Sequence, residues 1–170
     1  MTLASPEAQE PFAVSRKYMV SDSMLIFRPS TDQDLPRVME IWRRSVDATH
    51  HFLAPLDRRA IEAEVLELFP KLSLVLAADA TGMPQGFMFL HAGHLEALFV
   101  DPDQHGNGVG RALISRAVAA HSELTTDVNE QNTEALGFYE HIGFVRTGRS
   151  SHDGQGRPYP LIHLRYQSHM

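Results

Sequence analysis

The sequence predicts an α/β protein of the α+β kind: a central mixed, mostly antiparallel sheet of about seven strands flanked by about four helices. Three observations carry this. The middle of the chain reads as strand, turn, strand in a meander. The second half alternates short apolar runs with apolar residues at helical spacing. Nothing inside residues 24–166 looks like a repeat, a linker or a low-complexity block.

Taken in order, residues 24–28 (MLIFR) are strand-like, and Thr31 followed by Asp34 resembles a helix opening. That helix places Leu35, Val38, Trp42 and Val46 on one face and ends near Thr49. Residues 56–69 repeat the pattern with Ile61, Val65 and Leu68, and Pro70 stops it, lacking the N–H a helix needs. KLSLVLAAD and QGFMFLHA form a hairpin across ATGMP, and GHLEALFV is the next strand. After it comes DPDQHGNGVG, then a helix with Val109, Leu113, Ile114, Ala117 and Val118 on its buried face. Residues 124–128 are a short strand. Asn132 caps a helix carrying Ala135, Tyr139 and Ile142, and Gly143 ends it in the left-handed position. Residues 144–149 and 159–166 make a last pair around HDGQGRP.

Length and composition bound the function. At 170 residues, 43% of them hydrophobic, the chain buries one substantial core, so a single domain over residues 24–168 is expected. Residues 1–23 are polar and unpatterned, and a mobile N-terminal extension is expected there. A net charge of -6 argues against a nucleic-acid partner, since phosphate backbones are gripped by clustered Lys and Arg. No apolar stretch is long enough to span a membrane and no secretory signal opens the chain, so a cytoplasmic location without membrane attachment is expected. There is no cysteine, which removes disulfides, thiolate nucleophiles and Cys-based metal sites. Ten histidines raise a metal reading, but HExxH is absent and His91 with His94 finds no third ligand in register, so no metal is expected.

The segment DPDQHGNGVG has glycine at 106, 108 and 110. Glycines so spaced let successive N–H groups converge on one point, and the helix that follows adds its unpaired donors and the positive end of its dipole. Such a place suits a phosphate, although a tight turn without ligand has the same composition. A P-loop requires Gly-Lys-Ser/Thr, and the dinucleotide fingerprint requires glycine where Arg111 stands; neither fits.

His105, Gly106, Asn107, Gly108, Val109 and Gly110 resemble the Arg/Gln-x-x-Gly-x-Gly/Ala loop of the GNAT superfamily of N-acetyltransferases, with His105 in place of the usual Arg or Gln. A second resemblance lies in DVNEQNTEALGFYEHIGF, where Asn132, Ala135, Phe138, Tyr139, Gly143 and Phe144 match the family pattern. RSVDATHHFL and GRSSHDGQGRPYPL are similar to the YjaB-like type of small bacterial members.

The resemblance implies acetyl-coenzyme A as co-substrate, its diphosphate on residues 105–110 beside Arg111 and its pantetheine arm between the strands 95–100 and 124–128. Leu98, Phe99 and Val100 would line that arm, with a backbone N–H freed near residues 98–100 to hold the oxyanion. Asn132 would bond the pantetheine amides and Phe138 would pack beside them. With no cysteine to carry acetyl, transfer goes directly to a bound amine of a small molecule or peptide. A lysine-type amine, pKa about 10.4, must first lose a proton. Glu96 is the implied base, with His94 and Asp127 as lesser alternatives; strand alternation alone makes Glu96 an exposed strand residue. Tyr139 is the implied acid toward the departing thiolate, and by spacing alone a core aromatic. Trp42, Ser45, Thr49, His50, His51, Phe52 and Tyr159 fall where the family builds its acceptor wall, though the helical spacing of Trp42 also suits the core. The rival is a non-catalytic acyl-coenzyme A binder, a sensor or interaction protein. Either a monomer or a homodimer fits.

Overall fold

Amphipathic patterning settles into elements largely where the sequence places them in the computed structural model, which describes residues 17–20 and 23–168. The strands are β1 (Lys17–Val20), β2 (Ser23–Pro29), β3 (Val75–Ala78), β4 (Pro84–His91), β5 (His94–Val100), β6 (Thr125–Asn129), β7 (Phe144–Ser150) and β8 (Leu161–Tyr166). The helices are α1 (Leu35–Thr49), α2 (Pro55–Leu68), α3 (Val109–Ala120) and α4 (Thr133–His141). They form one eight-stranded sheet in the order β1-β2-β3-β4-β5-β6-β8-β7, parallel only between β5 and β6. The eighth strand, β1, pairs with β2 and lies within the segment 1–23 assigned to an extension; residues 1–16, 21 and 22 lie outside the described residues. Among the described residues, no helix is long and apolar enough to cross a membrane.

Alternation along the central strands feeds two cores, one on each face of the sheet. Val75, Ala77, Met88 and Leu90 join Leu113, Ile114, Ala117 and Leu136 of α3 and α4. Leu74, Leu76, Phe87 and Phe89 join Val38, Trp42, Ile61 and Val65 of α1 and α2. Burying such a side chain contributes about 1.5–3 kcal/mol, so both faces are anchored by apolar area rather than by charge.

Strand β5 departs from alternation. Phe89 pairs with Ala97 and Leu90 with Leu95, which leaves Glu96 as an extra residue. Leu95 therefore packs with the α3–α4 core, while Ala97 and Phe99 pack with the α1–α2 core. A bulge of this kind re-aims one side chain and bends the strand. The irregularity expected at residues 98–100 thus sits at Glu96, and Leu98 to Val100 pair regularly with β4.

Candidate active site

The cleft begins where hydrogen bonding between β5 and β6 stops. These strands pair only at His94 with Thr125 and Leu95 with Thr126; β5 then runs on to Val100 and β6 to Asn129 as they diverge. The larger part of the gap is a cavity of about 550 Å³ lined by Leu98, Val100, the glycine loop, Arg111, Asn132, Phe138 and Tyr139. A smaller pocket of about 100 Å³ continues past His50, Asn132 and Tyr139 to His94, Glu96, Asp127 and Asn129.

The glycine loop faces the larger cavity, and its three glycines answer to different constraints. Gly106 and Gly108 have φ of +79° and +83°, in the left-handed region that side chains disfavour. Gly110 lies within α3, where an added Cβ would come 3.1 Å from Phe138 Cζ, so packing rather than dihedral angle favours the bare backbone: the Phe138 ring would have to give way. The His105 and Asn107 N–H groups bond back to Pro102 and Gln104. Those of Gly106, Gly108, Val109 and Gly110 meet no acceptor among the described residues. Four unpaired donors at the start of a twelve-residue helix, with the exposed Arg111 beside them, fit a diphosphate. His105 borders the same cavity, and its Nε2 lies 3.2 Å from the Val100 carbonyl at the end of β5. Asn107, expected among the loop residues that hold the diphosphate, lines neither cavity, its side-chain amide lying 3.3 Å from Gln104 Oε1.

Further along the cleft, Asn132 Oδ1 accepts from the Ala135 amide and caps α4, while the residue lines both parts of the gap. Phe99 packs its side chain in the α1–α2 core and borders the cavity between Leu98 and Val100. Asn129, missed in the sequence, has Oδ1 buried with no hydrogen-bond partner among the described residues. Such an acceptor in a pocket wall suits a ligand amide N–H. No motif or periodicity sets this residue apart from an ordinary strand end.

Tyr139 is buried between Phe138 and Phe144, both edge-on to its ring, and borders both parts of the cleft. Burial raises its phenol above the ordinary value, opposed by a hydrogen bond with the Thr126 side chain, so the hydroxyl keeps its proton at neutral pH. Thr126 in turn donates to the Leu95 carbonyl at 2.9 Å, which stitches the last paired rung of β5 and β6. Glu96, displaced by the bulge, opens on the small pocket with its carboxyl raised by burial, partly offset by His94 and His91.

The acceptor wall is only partly as expected. His50 lines both parts of the cleft. Phe52 stands behind it, ring centroids 5.3 Å apart, and Tyr159 stands 6.0 Å behind Phe52. The Tyr159 hydroxyl donates to Asp57 and accepts from the Ala54 amide, tying the β7–β8 connection to α2. Trp42, by contrast, is 1% exposed in the α1–α2 core under the Arg58 guanidinium, and His51 is exposed and lines neither cavity. The wall assignment fails for these two because helical spacing turns Trp42 to the sheet, while the bend after α1 turns His51 outward.

A sheet parted between two parallel strands, with unpaired amides at the start of the next helix, is an α/β acetyltransferase arrangement. The chain belongs to the GNAT acetyltransferases, the Acetyltransferase (GNAT) domain matching residues 43–157, and it is an N-acetyltransferase. It is 46% identical to the peptidyl-lysine N-acetyltransferase YjaB of Salmonella typhimurium, over 84% of this chain and 99% of that protein. The solution structure of apo-form YjaB from Escherichia coli is similar at a TM-score of 0.82 and 45% identity, covering 85% of this chain and 99% of that one. PaiA N-acetyltransferase from Thermoplasma acidophilum, solved in complex with coenzyme A, shares the fold at 19% identity and a TM-score of 0.67, covering 85% and 99% of the two chains.

Proposed function

We propose that this protein transfers the acetyl group of acetyl-coenzyme A directly to the side-chain amine of a peptide lysine, in the cytoplasm. The observation that carries the reading is a single continuous cleft with unpaired loop amides at one end, Glu96 at the other and the Tyr139 hydroxyl between them. The peptide acceptor draws on the kinship with YjaB. In this reading the Gly106, Gly108, Val109 and Gly110 amides hold the diphosphate, and Asn132 and Asn129 meet the amides of the pantetheine arm. When bound, the coenzyme supplies an activated acyl thioester.

Glu96 takes one proton from the arriving ammonium; its raised carboxyl brings the two proton affinities closer, as a general base requires. The free amine then attacks, so that a C–N bond forms as C–S breaks. Tyr139 gives its proton to the thiolate and regains one from the nitrogen. One proton leaves to solvent in each cycle. Bringing amine and carbonyl together in one cleft supplies much of the acceleration.

The test is release of free thiol from acetyl-coenzyme A with lysine peptides. Tyr139→Phe should lower kcat by about 10²-fold with coenzyme A affinity unchanged in calorimetry. Equal rates would remove Tyr139 from the chemistry, and coenzyme binding without turnover on any amine would favour the sensor.

A further inference from the structure

Resting on the transferase reading above, we propose that Nε2 of His50 is a fixed hydrogen-bond acceptor that receives an N–H of the acceptor amine and turns its lone pair toward the thioester. His50 lies at the end of α1 and, among the described histidines, is the one that borders both parts of the cleft. Its backbone is held on both sides: its N–H donates to Val46 O at 2.8 Å, and its carbonyl accepts from Leu53 N at 3.2 Å.

The tautomer follows from counting protons. Thr49 Oγ1 lies 2.7 Å from the Ser45 carbonyl and 2.7 Å from His50 Nδ1. A hydroxyl has one proton and a carbonyl oxygen only accepts, so that proton goes to Ser45. Nδ1 must then be the donor to Thr49, and in a neutral imidazole Nε2 is left with its lone pair free. Nε2 has no partner among the described residues. Burial favours the neutral ring, lowering its pKa to about 4, and the neighbouring His51 adds to the effect. The Phe52 ring packs against the imidazole at a tilt of 46° and is itself backed by Tyr159.

Such an imidazole is too weak a base to keep a proton at neutral pH, so it orients the amine while Glu96 removes the proton. Thr49 is the positioning residue. The two act as a unit: Thr49 sets which nitrogen His50 presents, and His50 touches the substrate.

Nitrogen-15 NMR of histidine-labelled protein, paired with kinetics, tests this. Wild type should show His50 with Nδ1 protonated and Nε2 bare at neutral pH. Thr49→Val should lose that preference and lower kcat/KM for the amine by about tenfold, the worth of one hydrogen bond, with coenzyme A affinity unchanged. Thr49→Ser should restore both readouts, and His50→Gln, which keeps an acceptor, should retain more activity than His50→Phe. Wild type that acetylates amines but carries its proton on Nε2, or an unchanged kcat/KM in Thr49→Val, overturns the proposal alone. Wild type that acetylates no amine overturns the transferase reading and this proposal with it.

Discussion

Asp127 faces two histidines from its place on β6. His94 Nε2 of β5 is 3.5 Å from one carboxylate oxygen, and His163 Nδ1 of β8 is 2.6 Å from the other; His163 Nε2 continues to Ser150 Oγ at 2.7 Å. The Asp127 carboxylate raises His94, against burial and with help from Glu96. Burial pushes the Asp127 carboxyl up, but the two histidines outweigh it and hold it low. The signs set a window. A raised histidine contributes stability below its ordinary pKa of 6.5 and loses it as pH rises through the folded value; a lowered carboxylate contributes above 3.8 and loses it as pH falls. The row is therefore at full strength in mildly acidic solution, between those two values. Asp127→Asn should lower the pKa of His94 in an NMR titration, and urea unfolding should show the wild-type advantage shrinking from about pH 5 to about pH 9. A His94 titration identical in both proteins would dissolve the pairing. Only part of this row is legible in the sequence: His94 and Asp127 stand out as ionisable residues in strands, but His163 joins them only once β8 takes its place beside β6.

Helix α1 and the glycine loop are joined through one carboxylate. Asp101, just past β5, has a side chain 4% exposed and meets Arg37 at 2.6 Å and Arg44 at 2.9 Å, both on α1. Its Oδ1 also accepts from the Asp103 amide, fixing the turn that leads into the loop. The helix that carries Ser45 and Thr49 and leads into His50 is thus tied to the start of the glycine loop. Removing one partner of a buried pair leaves the other uncompensated, and since Arg44 is partly solvated the loss for Asp101→Asn is about 2 kcal/mol, below the roughly 3–5 kcal/mol of a fully buried pair. Chemical denaturation should show that loss, together with a higher KM for acetyl-coenzyme A. A stability loss with KM unchanged would mean that the clamp does not position the loop. Local chemistry explains what was legible among the elements. Asn132 caps α4 in the sequence because its side chain competes for amides, Gly143 ends that helix at φ +113°, and Pro70 follows α2 closely. The features missed depend on pairing between elements rather than on a residue pattern within one. Alternation in LEALFV hides the bulge at Glu96, which the pairing of β4 imposes; β1 exists through β2; and Arg37 meets Asp101 across 64 positions.

At the scale of the whole molecule the sheet is almost two sheets. β1 to β5 and β6 to β8 share only two paired positions, and the α3–α4 core, which takes residues from Leu25 to Leu164, spans the gap. A ligand lying in that gap touches both halves: amides at the start of α3, Leu98 and Val100 of β5, Asn129 of β6 and Asn132 ahead of α4. Binding to the folded state alone must then stabilise the fold by linkage, about 2.7 kcal/mol at a hundred times Kd. For a domain of this size that is a rise in Tm on the order of 5–10 °C. Coenzyme A should produce it in differential scanning calorimetry at concentrations set from a separately measured Kd. ATP, which offers phosphates to the loop but has no pantetheine arm to lie between β5 and β6, should give a much smaller shift at equal concentration. Equal shifts from the two ligands would show that the loop grips phosphates while the parted strands hold nothing. No shift from coenzyme A would mean that the unpaired amides of residues 106–110 do not serve a coenzyme at all.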